Sequence, residues 1–260
     1  MAMISVITCS RTQAEADAAE GMWNAALADV PHEVLKLSAP SMCIGYNQAV
    51  ARAKGDVLIF AHDDIEILGP GGDFSARLLA HLDHVDLVGV AGATHLVGPA
   101  WFNAGQLHCY GQVAHGNRQT GAMTLNIFQV PAPRVDGMQV LDGVLIAARR
   151  AVLDRVKFDE SIPGFHLYDL DFTYSAFRAG FRLGVACDLH LMHWSHGTYN
   201  SPQWVVSAKV FMNKHRASLP KLAKDINVPS REQAMQLMRD RLATASTAPQ
   251  PAALPVASAS

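Results

Sequence analysis

The sequence predicts an α/β fold, a Rossmann-like, mostly parallel sheet flanked by helices. Three observations carry this expectation. Half of the 260 residues are hydrophobic, enough to bury a substantial core. Strand-like and helix-like patterns alternate as β-α-β-α-β within roughly the first 60 residues, the signature of a doubly wound sheet. Finally, the apolar, β-branched run Val57 to Ala61 stops abruptly at His62, Asp63, Asp64 and Glu66. A buried strand that ends this way delivers polar groups to the carboxyl edge of its sheet, where α/β proteins bind ligands.

Ile4 to Cys9 reads as the first strand. Thr12 and Glu15 have capping-box spacing, so a helix follows to about Leu27. Glu33 to Leu37 reads as a second strand. Ser41 caps a helix through Ala53, which Gly55 closes before the strand that ends at His62. Asp73 to Leu82 reads as a helix and Leu87 to Ala91 as a strand. Residues 95–134 are rich in Gly, Pro, Asn and aromatics, and are expected to form loops and a small hairpin over the cleft. Met138 to Ala148 is strand-like and Arg149 to Arg155 a short helix. Asp169 or Asp171 starts a helix that ends at Gly180. Arg182 to Met192 is strand-like, and helices follow at Gln203 to Ala217 and Arg231 to Ala243. After Arg241 no charged side chain remains, and the tail reads as disordered.

A formal net charge of −2 argues against bulk nucleic-acid binding, which needs a basic face. Cys9, Cys43, Cys109 and Cys187 are widely spaced, as buried thiols of a reducing compartment are. The N-terminus lacks the basic flank and apolar core of a signal peptide, and no apolar run approaches the ~20 residues of a membrane span. These features read as cytoplasmic. No long Gly-rich phosphate loop with Lys and no Gly-x-Ser-x-Gly elbow is present, which argues against P-loop and serine-hydrolase chemistry.

The acids after Ala61 repel one another unless a cation sits among them. Oxygen ligands suit Mg²⁺ or Mn²⁺, and these ions suit a diphosphate. The alternative is an Asp-rich turn that caps the next element.

Four pieces, in order, resemble a family-2 glycosyltransferase of the GT-A fold. They are Ile4 to Cys9; Gly45 to Asp64, with its Gly-Asp before the strand and its His-Asp-Asp after it; Leu141-Asp-Gly to Arg150; and Phe158-Asp-Glu, then Tyr168-Asp-Leu-Asp-Phe, then Ala179-Gly-Phe, then His193-Trp-Ser-His-Gly. The resemblance runs from Ile4 to about Tyr199 and more weakly to Leu219. It implies a GT-A domain over 1–219, a C-terminal helical extension over 220–244 and a disordered tail over 245–260. It further implies an inverting, metal-dependent enzyme. The donor would be a nucleotide diphosphate sugar and the cofactor Mn²⁺ or Mg²⁺. The acceptor would be a glycan or a lipid-linked hydroxyl, in cell-surface polysaccharide synthesis.

The chain departs from the family pattern in two places. The usual Asp-x-Asp would set an acid at Ala61, and the usual Glu-Asp pair is Tyr168-Asp169. His-Asp-Asp with Tyr-Asp resembles a subgroup of the family. Under the resemblance Asp63 is the first metal contact. Asp64 is the second, or contacts the donor sugar or ribose, and Glu66 assists or is a solvated loop acid. His193 becomes the imidazole ligand, with His196 as its competitor. His190, His193 and His196 recur every third residue, a spacing that neither strand nor helix places on one face.

Asp169 is the general base by resemblance, and accepts the acceptor's proton opposite the leaving group. Asp171 is its alternative, because neighbours two apart on a helix point roughly 200° apart. Asp142 and Gly143 contact a sugar or form a turn. Thr8, Ser10 and Arg11 follow the first strand toward the nucleotide, and Asn47 is a candidate for the nucleobase side. Trp101, Phe102 and Tyr110 line the cleft or serve as core or lid. Lys209, Lys214, Arg216, Lys221 and Lys224 form a patch for peripheral contact with the inner membrane face, or a solvated helix face. Two other function classes remain open: a metal-dependent hydrolase or nucleotidyltransferase, and, because of Ala61, a non-catalytic sugar-binding relative.

Overall fold

The computed structural model describes residues 2–69, 73–195, 197, 199–220 and 228–246. The chain divides into two compact units, Met1–Pro220 and Lys221–Ser260. In chain order, the first unit contains β1 (Ile4–Cys9), α1 (Gln13–Ala26), β2 (His32–Leu37), α2 (Met42–Val50), β3 (Val57–Ala61), β4 (Ile65–Ile67), α3 (Asp73–Leu82), β5 (Leu87–Gly89) and β6 (Ala91–Ala93). Then come β7 (Cys109–Gly116), β8 (Met123–Ile127), β9 (Arg134–Asp136), β10 (Val140–Leu141), β11 (Leu145–Arg149), α4 (Arg150–Leu153), α5 (Tyr168–Arg178), β12 (Leu183–Ala186), β13 (Leu191–His193) and α6 (Pro202–His215). The second unit contributes α7 (Arg231–Ser246). The tail expected to be disordered lies, from residue 247 on, outside the described residues.

The seven-stranded central sheet has the order β2-β1-β3-β11-β5-β12-β9. β2, β1, β3, β5 and β12 run one way, and β11 and β9 run against them. Strands buried on both faces need no polar alternation, and Val57 to Ala61 accordingly shows none, with all five residues buried. α1 begins at the expected capping box: Thr12 Oγ1 accepts from Glu15 N while the Glu15 carboxylate accepts from Thr12 N. Beneath the carboxyl end of β3, Tyr46, Phe60, Phe158 and Phe172 pack as an aromatic cluster, with Phe158 and Phe172 stacked at 4.2 Å.

A second sheet has the order β10-β6-β7-β13-β4, with β8 beside β7. Three stretches that read as single strands are each broken in two, and their halves join different sheets. Leu87 to Ala91 becomes β5 and β6, Met138 to Ala148 becomes β10 and β11, and Arg182 to Met192 becomes β12 and β13. β3 and β4 make a fourth crossing, through His62, Asp63 and Asp64. Side-chain alternation reports which face of a sheet is buried, but not which sheet a strand belongs to, so the crossings leave no periodic trace. The hairpin expected between 95 and 134 is β7–β8, turned by Asn117, whose Oδ1 accepts from Gln119 N and Thr120 N.

Candidate functional site

The β3–β4 and β10–β11 crossings open on one cavity of about 310 Å³. His62, Asp142, Gly143, Tyr168, Asp169 and His193 all line it.

The β3–β4 crossing supplies His62, Asp63 and Asp64. In an extended turn alternate residues share a side, and here His62 and Asp64 point one way. β13 pairs antiparallel with β4, setting His193 opposite Ile65, and Trp194 N donates to Asp64 O at 2.8 Å. This register brings His193 Nε2 within 3.0 Å of His62 Nδ1 and 3.2 Å of Asp64 Oδ1. His62 Nδ1 lies 3.9 Å from Asp64 Oδ1, and Ser195 Oγ lies 3.1 Å from His193 Nε2. One ring nitrogen thus faces three polar atoms. Such a convergence of ring nitrogens and a carboxylate is an arrangement that a cation could join. Ligands in cis positions about 2.1 Å from a metal lie about 3.0 Å apart, close to the shorter separations here.

The ionisation states suit the same role. Burial, then the neighbouring His193, pushes His62 down to about 4, so its imidazole is neutral near pH 7. Burial opposes ionisation of Asp64, but hydrogen bonds from His193 and Ser195 override it and hold the carboxyl well below the usual carboxylate range. Neutral imidazole and ionised carboxylate are the ligand forms of these groups.

Asp63 faces the other way, toward the end of β1. Its carboxyl is raised by burial, while the Ser10 hydroxyl beside it opposes the shift without reaching hydrogen-bond geometry. Thr8 Oγ1 and Ser10 Oγ are buried and have no hydrogen-bond partner among the described residues. Arg11 is exposed, with no ion pair among the described residues. The amide of Asn47, the candidate for the nucleobase side, bonds within the fold: its Nδ2 donates to Phe158 O and Glu160 Oε1, and its Oδ1 accepts from Phe158 N. Glu66 accepts from Trp194 Nε1 and stays outside the His62–Asp64–His193 group. His196 lies outside the described residues.

Across the cavity, α5 starts one residue earlier than Asp169. Neither Asp169 nor Asp171 caps it. The cap is Leu167, in the left-handed region at φ 63° with no side-chain bond to the helix. Asp169 therefore sits in the first turn, where Oδ2 accepts from Gly143 N at 2.9 Å. Burial, then the charge of Asp142, pushes its carboxyl up to about 7. Asp142 itself accepts from Trp101 Nε1 at 2.7 Å and from Val144 N at 2.9 Å. Asp171 points away from the cavity. It is 1 % exposed, and its carboxylate holds Lys214 Nζ at 2.9 Å and His215 Nε2 at 2.7 Å. Lys214 also pairs with Asp159, so it is not a free charge of the basic patch, and Lys221 and Lys224 lie outside the described residues.

Aromatic side chains from four separate segments wall the cavity: Trp101 with Phe102, Phe128, Phe165, and Tyr199 with Trp204. Tyr110 is not among them. Phe102 and Tyr199 meet edge to face at 5.0 Å, and Trp101 and Phe128 at 4.8 Å.

Sequence reasoning missed His62, Tyr168, Phe165, Tyr199 and Trp204. For His62 a signal was present, because His62-x-Asp64 is an alternating pair at a strand end. The aromatics come from loops and a helix start, with no spacing to unite them.

A family profile described as "Glycosyltransferase like family" matches residues 6–221. The chain belongs to this family. It is a glycosyltransferase of family 2 with the GT-A fold. No curated protein matches it. Among solved structures, the glycosyltransferase is similar to S. aureus TarS, at 14% identity and a TM-score of 0.53 over 95% of this chain and 44% of that one. It is also similar to GalNAc-T7, solved with UDP, GalNAc and Mn²⁺, at 11% identity and a TM-score of 0.50 over 83% of this chain and 48% of that one. At such identities the likeness is one of fold. The glycosyltransferase spans less than half the length of each. Among its described residues no helix is long and apolar enough to cross a membrane.

Proposed function

We propose that this glycosyltransferase moves a sugar, with inversion, from a nucleoside diphosphate sugar to a hydroxyl of a glycan or lipid-linked acceptor, the chemistry of cell-surface polysaccharide assembly. The observation that carries the reading is that Asp169, poised near neutrality, shares one cavity with His62 and His193, two members of the His62–Asp64–His193 group.

His62, Asp64 and His193 would hold a divalent cation, which when bound supplies positive charge beside the leaving diphosphate. Two imidazoles with one carboxylate favour Mn²⁺ over Mg²⁺, an ion that prefers oxygen ligands and keeps its waters. Asp63 moves from first metal contact to a second role at the end of β1. There its carboxylate and the unpartnered hydroxyls of Thr8 and Ser10 would meet the nucleoside, with Arg11 near the phosphates. The aromatic wall would stack on the acceptor sugar. Asp142 and Gly143 would stay at the reacting ring, Asp142 as the charge that keeps Asp169 basic.

In the reaction the ionised Asp169 accepts the acceptor's hydroxyl proton. The freed oxygen pair bonds to the anomeric carbon, and the carbon–oxygen bond to the diphosphate breaks on the opposite face, its electron pair leaving with the nucleotide.

The test begins with thermal shifts of the purified protein against nucleoside diphosphates and their sugar conjugates, with and without Mn²⁺. A Mn²⁺-dependent shift with one base is expected and would identify the donor. Asp64→Ala should abolish it, whereas Asp169→Asn should keep it and lose transfer by about 10²–10⁴-fold. A transfer-competent Asp169→Asn protein would overturn the assignment of the base, and a product of retained anomeric configuration would overturn inversion.

A further inference from the structure

Tyr168 opens α5 directly before Asp169 and is 4 % exposed. Its hydroxyl lies 3.0 Å from His62 Nε2 and 3.2 Å from the Gly143 carbonyl oxygen. A phenol has one proton to donate, and a carbonyl oxygen can only accept. The bond to Gly143 therefore takes the tyrosine's proton, and the bond to His62 runs the other way, from Nε2–H to the phenol oxygen. A neutral imidazole carries a single N–H. With the proton on Nε2, Nδ1 keeps its lone pair, and Nδ1 is the atom that faces His193 and Asp64.

We propose that Tyr168 is a positioning residue that fixes His62 as its Nε2–H tautomer and so makes Nδ1 a ligand for a divalent cation. The inference rests on reading His62, Asp64 and His193 as the cation site. Metal-bound imidazoles generally donate their second N–H to an oxygen that sets tautomer and ring angle, and here a phenol backed by a carbonyl fills that place.

The packing around Tyr168 is built for this bond. Tyr46 meets its ring edge to face at 5.5 Å. The left-handed turn at Leu167 aims the first turn of α5 at the cavity. Gly143 lets the hydroxyl reach the backbone, since a Cβ there would sit 2.5 Å from Tyr168 Oη. The same glycine donates its N–H to Asp169, so the proposed base and the proposed ligand are tied to one backbone residue.

Two measurements test the proposal. In metal-free wild type labelled with ¹⁵N-histidine, two-bond ¹H–¹⁵N correlations read the tautomer of His62, whose signals are identified by their loss in His62→Ala. An Nε2–H tautomer is expected, and a proton on Nδ1 overturns the proposal without any variant needing to fold. The second is Mn²⁺ titration followed by electron paramagnetic resonance, on proteins whose melting temperatures have been checked. Asp64→Ala should lose the site. Tyr168→Phe should weaken Mn²⁺ about 10–100-fold, with no further loss when it is added to His62→Ala. Wild-type affinity in Tyr168→Phe beside a loss in Asp64→Ala sinks the tyrosine's role and leaves the cation site standing. Wild-type affinity in Asp64→Ala sinks both.

Discussion

Asp169 and Asp171 stand two residues apart in one helical turn, and their surroundings give them opposite work. Asp171 is enclosed by Lys214 and His215 and fastens α6 to α5. Among the described residues Asp169 has no cation paired with it, only backbone N–H groups, and burial with the charge of Asp142 pushes it up to about 7. A base must be ionised to accept a proton, so kcat/KM should climb with pH through about 7 and level off above it, read from a pH–rate profile. Stability should run the other way. Between the ordinary carboxylate range and about 7, folded Asp169 keeps a proton that the unfolded chain has released, so this group's contribution to stability falls as pH rises across that window. Asp169→Asn removes the disfavoured anion. It should therefore melt above wild type at pH 8 and by a smaller margin at pH 5, measured by calorimetry at both values. A lower melting temperature at pH 8 would mean that the Gly143 N–H bond to the carboxylate outweighs its burial.

The proposed catalytic and metal-holding groups meet because β-strands leave the central sheet at defined crossings. β3 hands over to β4 through His62 and Asp64, and β10 to β11 through Asp142 and Gly143. Gly143 is a tight joint, since an added Cβ would lie 2.5 Å from Tyr168 Oη and 2.9 Å from Asp169 Cβ. Gly143→Ala should push both side chains out of place and lower kcat by about 10²-fold, the scale of a roughly 1 Å misplacement, with Mn²⁺-dependent donor binding weakened as well through Tyr168. Steady-state kinetics beside a nucleotide titration would check it, and an unchanged kcat would mean that α5 can shift without harm. This element scale also marks how far the sequence could be read. β1, the capping box at Thr12, β3 and α3 follow from apolar periodicity and caps, which act within a few residues of each other. The crossings do not, because Leu87 to Ala91 has the same pattern whether or not its halves part at Val90. The site shares that limit. Asp64, His193, Asp142 and Asp169 were legible as acids and a histidine at element ends, whereas the pairing of His62 with His193 depends on the register of β13 against β4.

At the scale of the molecule, every residue assigned to the site lies in the unit Met1–Pro220, which also holds the aromatic cluster beneath β3 and both sheets. The family match ends at residue 221, close to the same point. What closes this unit is α6, through one buried carboxylate: Asp171, with Lys214 and His215 upon it and Ser207 Oγ donating to Pro163 O nearby. Removing one member of a buried charged group strands the others, at about 3–5 kcal/mol. Two truncations then separate the roles of the C-terminal segments. A chain ended after Pro220 retains α6 and should melt within a few degrees of the full chain, with Mn²⁺ and nucleotide binding intact. A chain ended after Asn200 leaves Asp171 buried without its partners and removes Trp204 from the cavity wall, so it should unfold far earlier or fail to accumulate. Asp171→Ala in the full chain should reproduce much of that loss, seen as a lowered denaturation midpoint. If the chain ended after Pro220 lost Mn²⁺ binding while staying folded, residues 221–260 would have to complete the site, and its placement wholly within the first unit would fall.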